Sequence, residues 1–315
     1  MTVPHEPAAA SETVAWCNGG LRPLTEVRVS VDAAAMRYSQ VVFDGCAAFF
    51  DPTGRIMRIL DLPAHLDRFR RSCAGLGLPL RYDDAELTEA VIAVARACPS
   101  RDPVGLRLFA WSDDEGFLSD RPATVCVFLR SLAGYGPQRP LRYAMAEAPR
   151  PAATDLPRWV KATAHYAGAR RSVLAARAAG FDDVVFRNEH GRITESSRAS
   201  LLVISGGRLI APPVEEGVLP GITRDLVATV GAAACGLTPV RRPLEPAELY
   251  GADGVIACSS SLGAAVVGEV DGHDLHGDGI AAELAAEFGR AARGETSVLE
   301  SVTTPVELAL TETNR

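Results

Sequence analysis

The amino-acid sequence predicts an α+β protein of two lobes, and three observations carry that expectation. Over residues 1–131, short apolar runs broken by turn signals alternate with two helix-spaced stretches. The segment LAGYGPQRP at 132–140 then has the Gly and Pro density of a linker. Beyond it, strands and helices resume in a different order over 141–293. At 315 residues and 47% hydrophobic, the chain can bury a substantial core in each lobe.

The elements follow in order. EVRVSVD (Glu26–Asp32) reads as an apolar run, and Val41–Leu60 as an antiparallel hairpin turned at Asp51-Pro52-Thr53-Gly54. Leu62, Leu66, Phe69, Cys73 and Leu76 recur at helical spacing until Gly77, and Asp84–Cys98 predicts a second helix. Strands at Val104–Trp111 and Thr124–Leu129 complete the small N-terminal lobe. In the second lobe the pattern predicts strands at Leu141–Ala146, Asp183–Arg187, Leu201–Ile204, Arg208–Ala211, Gly254–Ala257 and Ala265–Val270. Helices are expected from Ala164 to Ala179, closed by Gly180, and from Gly221 to Cys235, stopped by Gly236. Residues 294–315 are polar, acidic and poor in aromatics, which predicts a mobile tail.

Composition narrows the function. A net charge of −7 gives no general attraction to nucleic acid or an anionic membrane, so a small molecule is the expected partner. Seven scattered cysteines, never in a CxxC pair, argue against a disulfide framework or a structural zinc. The N-terminal stretch lacks a basic and apolar leader pattern, and no apolar run is long enough to span a bilayer, which predicts a cytoplasmic protein.

One count stands apart. Of the 32 basic residues, 31 are arginines and one, Lys161, is a lysine. An arginine replaces a lysine wherever only a surface cation is needed. It cannot supply an amine that loses its proton and attacks a carbonyl. Lys161 lies in WVKATAHY, with Tyr166 five positions on. With the runs GRITESSRASLLVI (Gly191–Ile204) and LPGITR (Leu219–Arg224), the chain resembles the fold type IV, or class IV, PLP-dependent aminotransferases. These include the branched-chain and D-amino acid aminotransferases and a lyase relative, aminodeoxychorismate lyase. The resemblance spans roughly residues 27–272 in the family's motif order.

The resemblance implies a small α/β lobe, a larger β-barrel-like lobe and pyridoxal 5'-phosphate held between them. It assigns Lys161 to hold the cofactor covalently and later to shuttle a proton. Glu195, in the T-E-x-S position, is the anion beside the pyridine nitrogen. Tyr166 is placed near the phenolic oxygen. Ile222 and Thr223 offer amides and a hydroxyl at a helix start, where an anion is favoured. Ser260 and Ser261 stand where relatives carry a threonine-rich loop, and Arg68 in HLDRF matches an arginine that reaches the phosphate. Tyr38, Phe43 and Gly45, in RYSQVVFDG, and Arg107 resemble substrate-side residues of branched-chain relatives. His65 reads as helix packing. A homodimer is implied, because relatives complete each site with a neighbour's loop.

Departures limit the substrate assignment. Asp44 stands where the branched-chain group has glutamate, and Ala47 where it has arginine. Ser200 replaces an asparagine, and Gly263 a frequent glutamate. The expected activity is transamination between an amino acid or amine and a 2-keto acid, with an altered substrate pocket. The alternatives are β-elimination of pyruvate, as in the lyase relative, and non-catalytic PLP binding.

Overall fold

The computed structural model describes residues 13–51, 54–98, 102–132, 135–136, 139–150, 156–275 and 279–308. Two compact units divide the chain: residues 1–133 with 304–315, and residues 134–303. The expected linker at 132–140 straddles that division, and residues 133, 134, 137 and 138 of it lie outside the described residues.

The first unit opens with a hairpin, β1 (Val14–Cys17) and β2 (Gly20–Pro23). Its two-residue turn, Asn18-Gly19, has φ of 49° and 99°. Asn-Gly adopts two successive left-handed conformations at little cost, and such turns match the twist of the paired strands. The apolar run expected at Glu26–Asp32 forms no strand: after Pro23 the chain passes through exposed turns to α1 (Ala34–Arg37). Alternating valines do not make a strand without a partner edge, and Val31 is 85% exposed.

Strands β3 (Val41–Phe50) and β4 (Ile56–Leu60) form the expected hairpin, although Pro52 and Thr53 of its turn lie outside the described residues. Helix α2 (Leu62–Gly75) is capped by Asp61, whose side chain accepts from the Ala64 amide at 3.4 Å. Asp83 and Glu86 form a capping box on α3 (Asp84–Arg96). β5 (Val104–Trp111) and β6 (Thr124–Ser131) follow. Leu62, Leu66 and Phe69 of α2 and Leu87, Val91 and Val94 of α3 pack on Val42, Leu106, Leu108 and Val125. Full burial of side chains of this size contributes about 1.5–3 kcal/mol each. Strand side chains alternate, so Phe43, Gly45, Arg107, Phe109, Cys126 and Phe128 share the opposite face.

In the second unit the order is β7 (Leu141–Met145), α4 (Ala164–Ala167), α5 (Arg170–Ala178), β8 (Asp183–Arg187), β9 (Ile193–Ser196), β10 (Ser200–Ser205) and β11 (Arg208–Ala211). Then come α6 (Ile222–Ala234), β12 (Thr238–Arg241), α7 (Pro246–Tyr250), β13 (Gly254–Ser259), β14 (Gly263–Val270), β15 (His273–Asp274) and α8 (Ile280–Ala292). The sheet runs β12-β11-β10-β13-β14-β7-β8-β9, and β9 pairs back to β10. That last pairing closes β10, β13, β14, β7, β8 and β9 into the barrel expected for the larger lobe. Its interior is filled by Tyr143, Val185, Ile193, Leu201, Val203 and Val255, among others.

The helix expected from Ala164 to Ala179 is two short helices, interrupted at Gly168-Ala169. The expected mobile tail is also corrected for its described part. The second unit continues to residue 303, and β16 (Thr303–Glu307) adds to the first unit's sheet, whose order is β16-β4-β3-β5-β6-β1-β2. The Leu308 amide donates to the Arg55 carbonyl at 2.8 Å, and Val306 is buried in the core. One well-placed apolar side chain and main-chain pairing fix a segment that composition marks as polar.

Candidate active site

Lys161 lies on the short connection ahead of α4, and one turn of that helix brings Tyr166 back to it. Lys161 Nζ donates to Tyr166 Oη at 2.7 Å and lies 5.3 Å from the ring centroid. This contact joins the two residues that sequence spacing singled out. The amine and the phenol thus face one point.

Glu195 sits on β9 and is buried. Its Oε1 accepts from Arg150 Nη1 at 2.5 Å, and its Oε2 from the Leu219 amide at 3.3 Å. Arg150, itself buried, has its guanidinium 5.3 Å from the Phe186 ring centroid. Sequence reasoning missed this arginine because nothing local distinguishes it among 31. A carboxylate this buried needs a charged or hydrogen-bonding partner, and Arg150 supplies both.

Leu219 begins the run into α6. There Gly221 is the N-cap, with no side-chain cap on the first helical amides. A Cβ on Gly221 would lie 2.5 Å from Ser200 Oγ, so the residue must be glycine for the turn to approach β10 this closely. Ser200 is also the cross-strand partner of Glu195. Thr223 Oγ1 and Ser260 Oγ are 3.4 Å apart, which brings the α6 start and the β13–β14 loop together. Ser261 Oγ instead lies 3.5 Å from Ser259 Oγ, and Ser261 is exposed. At Gly263, with φ of 73°, a Cβ would lie 2.8 Å from the Tyr135 ring, so that ring fills the space a side chain would take.

Burial first, then Arg150, pulls the Arg158 guanidinium down to about 10, with Glu195 acting against both. Burial and Arg158 bring His165 to about 4, so it is neutral near pH 7. It is held between Arg158 Nη1, 3.0 Å from its Nδ1, and the Pro157 carbonyl, 3.2 Å from its Nε2. Arg150, Arg158 and His165 line a cavity of about 410 Å³ together with Phe186 and Ser172.

The other predicted residues lie in the first unit. Arg68 is buried, and its Nε and Nη2 donate to the two Asp44 oxygens at 2.8 and 2.7 Å. His65 Nδ1 is 2.7 Å from Asp44 Oδ1. Burial alone would raise the Asp44 carboxyl, but Arg68 and the hydrogen bonds from Arg68 and His65 outweigh it and hold it well below the usual range. Burial likewise lowers His65. His65 is therefore a member of a buried charge network as well as a packing residue. Gly45 and Arg107 are cross-strand partners, and a Cβ on Gly45 would lie 2.8 Å from Arg107 Nη1. Phe43 stacks on Phe109 and Phe109 on Phe128, with centroids 5.6 and 5.7 Å apart. Tyr38 stands off this strand face, 40% exposed, edge-on to Phe117.

The second unit's residues fit pyridoxal phosphate. An amine and a phenol meet, a buried carboxylate is fixed, and an uncapped helix start adjoins two converging hydroxyls. Close by in sequence, buried Arg224 Nη1 has no hydrogen-bond partner among the described residues. Among those residues there is no metal-holding group of His, Cys, Asp and Glu.

Comparison with known proteins agrees. The amino-transferase class IV family matches residues 46–270, and the chain belongs to that family. It is a PLP-dependent aminotransferase by family and fold. A probable branched-chain-amino-acid aminotransferase of Aquifex aeolicus (strain VF5) is 25% identical over 93% of this chain and 96% of that protein. The branched-chain aminotransferase of Thermoproteus uzoniensis, solved with norvaline, superposes with a TM-score of 0.86 at 26% identity, covering 93% of this chain and 98% of that one. The branched-chain amino acid aminotransferase of Thermobaculum terrenum, solved in its PLP-form, shares the fold with a TM-score of 0.86 at 23% identity, covering 94% and 99%. No helix among the described residues is long and apolar enough to cross a membrane.

Proposed function

We propose that this enzyme transfers an amino group between an amino acid or amine and a 2-keto acid, with a branched-chain-like but altered substrate pocket. The observation that carries the reading is the sole lysine, its Nζ 2.7 Å from Tyr166 Oη. Bound PLP supplies an electron sink that makes the substrate Cα proton acidic. Lys161 would hold the cofactor covalently, and its Nζ would serve as the base that takes the substrate Cα proton and gives it back. Tyr166 directs that amine and donates toward the cofactor's phenolic oxygen. Glu195, fixed by Arg150, would hydrogen-bond to the pyridine nitrogen. The amides of Ile222 and Thr223 would bind the phosphate with the hydroxyls of Thr223 and Ser260, while Ser261 turns toward Ser259 instead. Arg68, its fork held by both oxygens of Asp44, is the arginine this reading assigns to the phosphate.

On the substrate side, Phe43 offers an apolar wall and Gly45 gives Arg107 room to lie across the strand, with Tyr38 at the margin. Ala47 leaves a short side chain on the same strand face as Phe43 and Gly45, which supports an altered pocket. A cytoplasmic homodimer is part of this reading. The test is a panel of L-, D- and simple amine donors, scored by loss of the cofactor's visible band and by keto product. Donors that bleach the band and yield a keto acid are expected. Release of pyruvate from aminodeoxychorismate with no amino transfer from any donor would replace the reading with the lyase. A band that nothing perturbs would leave a binding protein.

A further inference from the structure

Outside the cofactor site, two cysteines lie directly opposite each other. Cys17 on β1 is the cross-strand partner of Cys126 on β6. The Asn18 amide donates to the Val125 carbonyl at 3.0 Å, so 18/125 is a hydrogen-bonded pair and the adjacent 17/126 a non-hydrogen-bonded one. At such positions Cα atoms stand about 4.5 Å apart with side chains close, within the span a disulfide bridges. Both cysteines are buried, in a cluster with Ala15, Ala33, Ala35 and Trp111; on its other flank Cys17 pairs with Gly20 of β2, the edge strand of the sheet. Arg22 Nη2 donates to the Cys17 carbonyl at 3.0 Å, which holds a cation beside the residue.

The thiols differ in readiness. A hydrogen bond from Cys126 and, against burial and Asp113, the Arg22 charge lower Cys17 below an ordinary thiol. The same pairing raises Cys126. Burial pushes Cys46, Cys73 and Cys258 up to about 12 and also raises Cys235. Thiolate is the reactive form, so Cys17 differs in kind from these others.

We propose that Cys17 and Cys126 are a peroxide-modified thiol pair that closes to a reversible cross-strand disulfide. The Cys17 thiolate attacks one oxygen of hydrogen peroxide, the O–O bond breaks, and Cys17 sulfenic acid forms as the peroxide is reduced to water. Cys126 sulfur then attacks the Cys17 sulfur, the S–O bond breaks, and a second water leaves with the Cys126 proton. Two thiols lose two electrons and one peroxide gains them.

The test uses the full-length holoenzyme treated with hydrogen peroxide, then alkylated, digested and mapped by mass spectrometry. A Cys17–Cys126 linked peptide pair that dithiothreitol separates is expected. In Cys126→Ser the sulfenic acid at Cys17 should persist and be trapped by dimedone, and in Cys17→Ser labelling of Cys126 should be lost. Absence of the linked pair from wild-type protein whose other cysteines have begun to oxidise overturns the proposal. So does dimedone labelling at Cys126 in preference to Cys17. The wild-type mapping needs no variant, so a variant that fails to fold leaves the question decided.

Discussion

Each unit buries an arginine against a carboxylate, and the two pairs are finished differently. In the first unit Asp44 is fully enclosed: Arg68 grips both oxygens and His65 takes a second position on one of them. In the second, Glu195 has one short bond to Arg150 and a long one, 3.3 Å, to the Leu219 amide. Each carboxylate oxygen can accept two hydrogen bonds, so Glu195 keeps acceptor capacity that Asp44 has largely spent. A saturated buried pair serves the fold. One held from a single side is fixed in place and still able to meet a ligand.

The largest effect that would break this contrast is at Lys161. Lys161→Ala should abolish transamination and borohydride-reducible PLP attachment while moving the urea midpoint little; an adduct in that variant would end the assignment, since no other lysine exists. Next is Asp44→Asn, which leaves the Arg68 charge buried without its counterion. Denaturant unfolding should show a loss of about 3–5 kcal/mol. Glu195→Gln also takes the counterion from buried Arg150 but should cost less stability than Asp44→Asn, and it should lower kcat by about 10²–10³-fold, the size seen when one oriented electrostatic group is removed. Reversed outcomes, with Glu195→Gln collapsing the fold and Asp44→Asn sparing it, would dissolve the distinction.

The smallest effect lies in pH. His65 is lowered on folding, so its contribution to stability is fully present above the unfolded value of about 6.5 and declines as pH falls below it. Asp44 is lowered too, and its contribution is lost only as pH falls below about 4. Wild-type protein should therefore lose stability between pH 7 and pH 5 more steeply than His65→Gln, compared by urea midpoints. Equal slopes would remove His65 from the buried network.

Much of the fold was legible because its signals are local. Leu62, Leu66, Phe69 and Cys73 mark the buried stripe of α2, and Gly236 ends α6. The β1–β2 hairpin was not among the expected elements: Asn18-Gly19 marks its turn, but its flanks lack the alternation that marks a half-buried strand. The exposed valines of 29–31 carried that alternation and formed no strand. The break between α4 and α5 at Gly168-Ala169 was equally open to reading, since glycine weakens a helix interior.

The sequence by itself determined the cofactor class and named the candidate residues, because Lys161 with Tyr166, Glu195 with its flanking motif, and Gly221 with Thr223 are short-range arrangements in which residue type suggests chemistry. Only the tertiary structure decided who holds them. Arg150 reaches Glu195 across 45 residues, Cys17 meets Cys126 through strand register, and β9 closes the barrel by pairing with both β8 and β10. Such partners are chosen by which distant segments burial and backbone pairing bring together. A composition with 31 arginines and seven cysteines contains those partners without marking them.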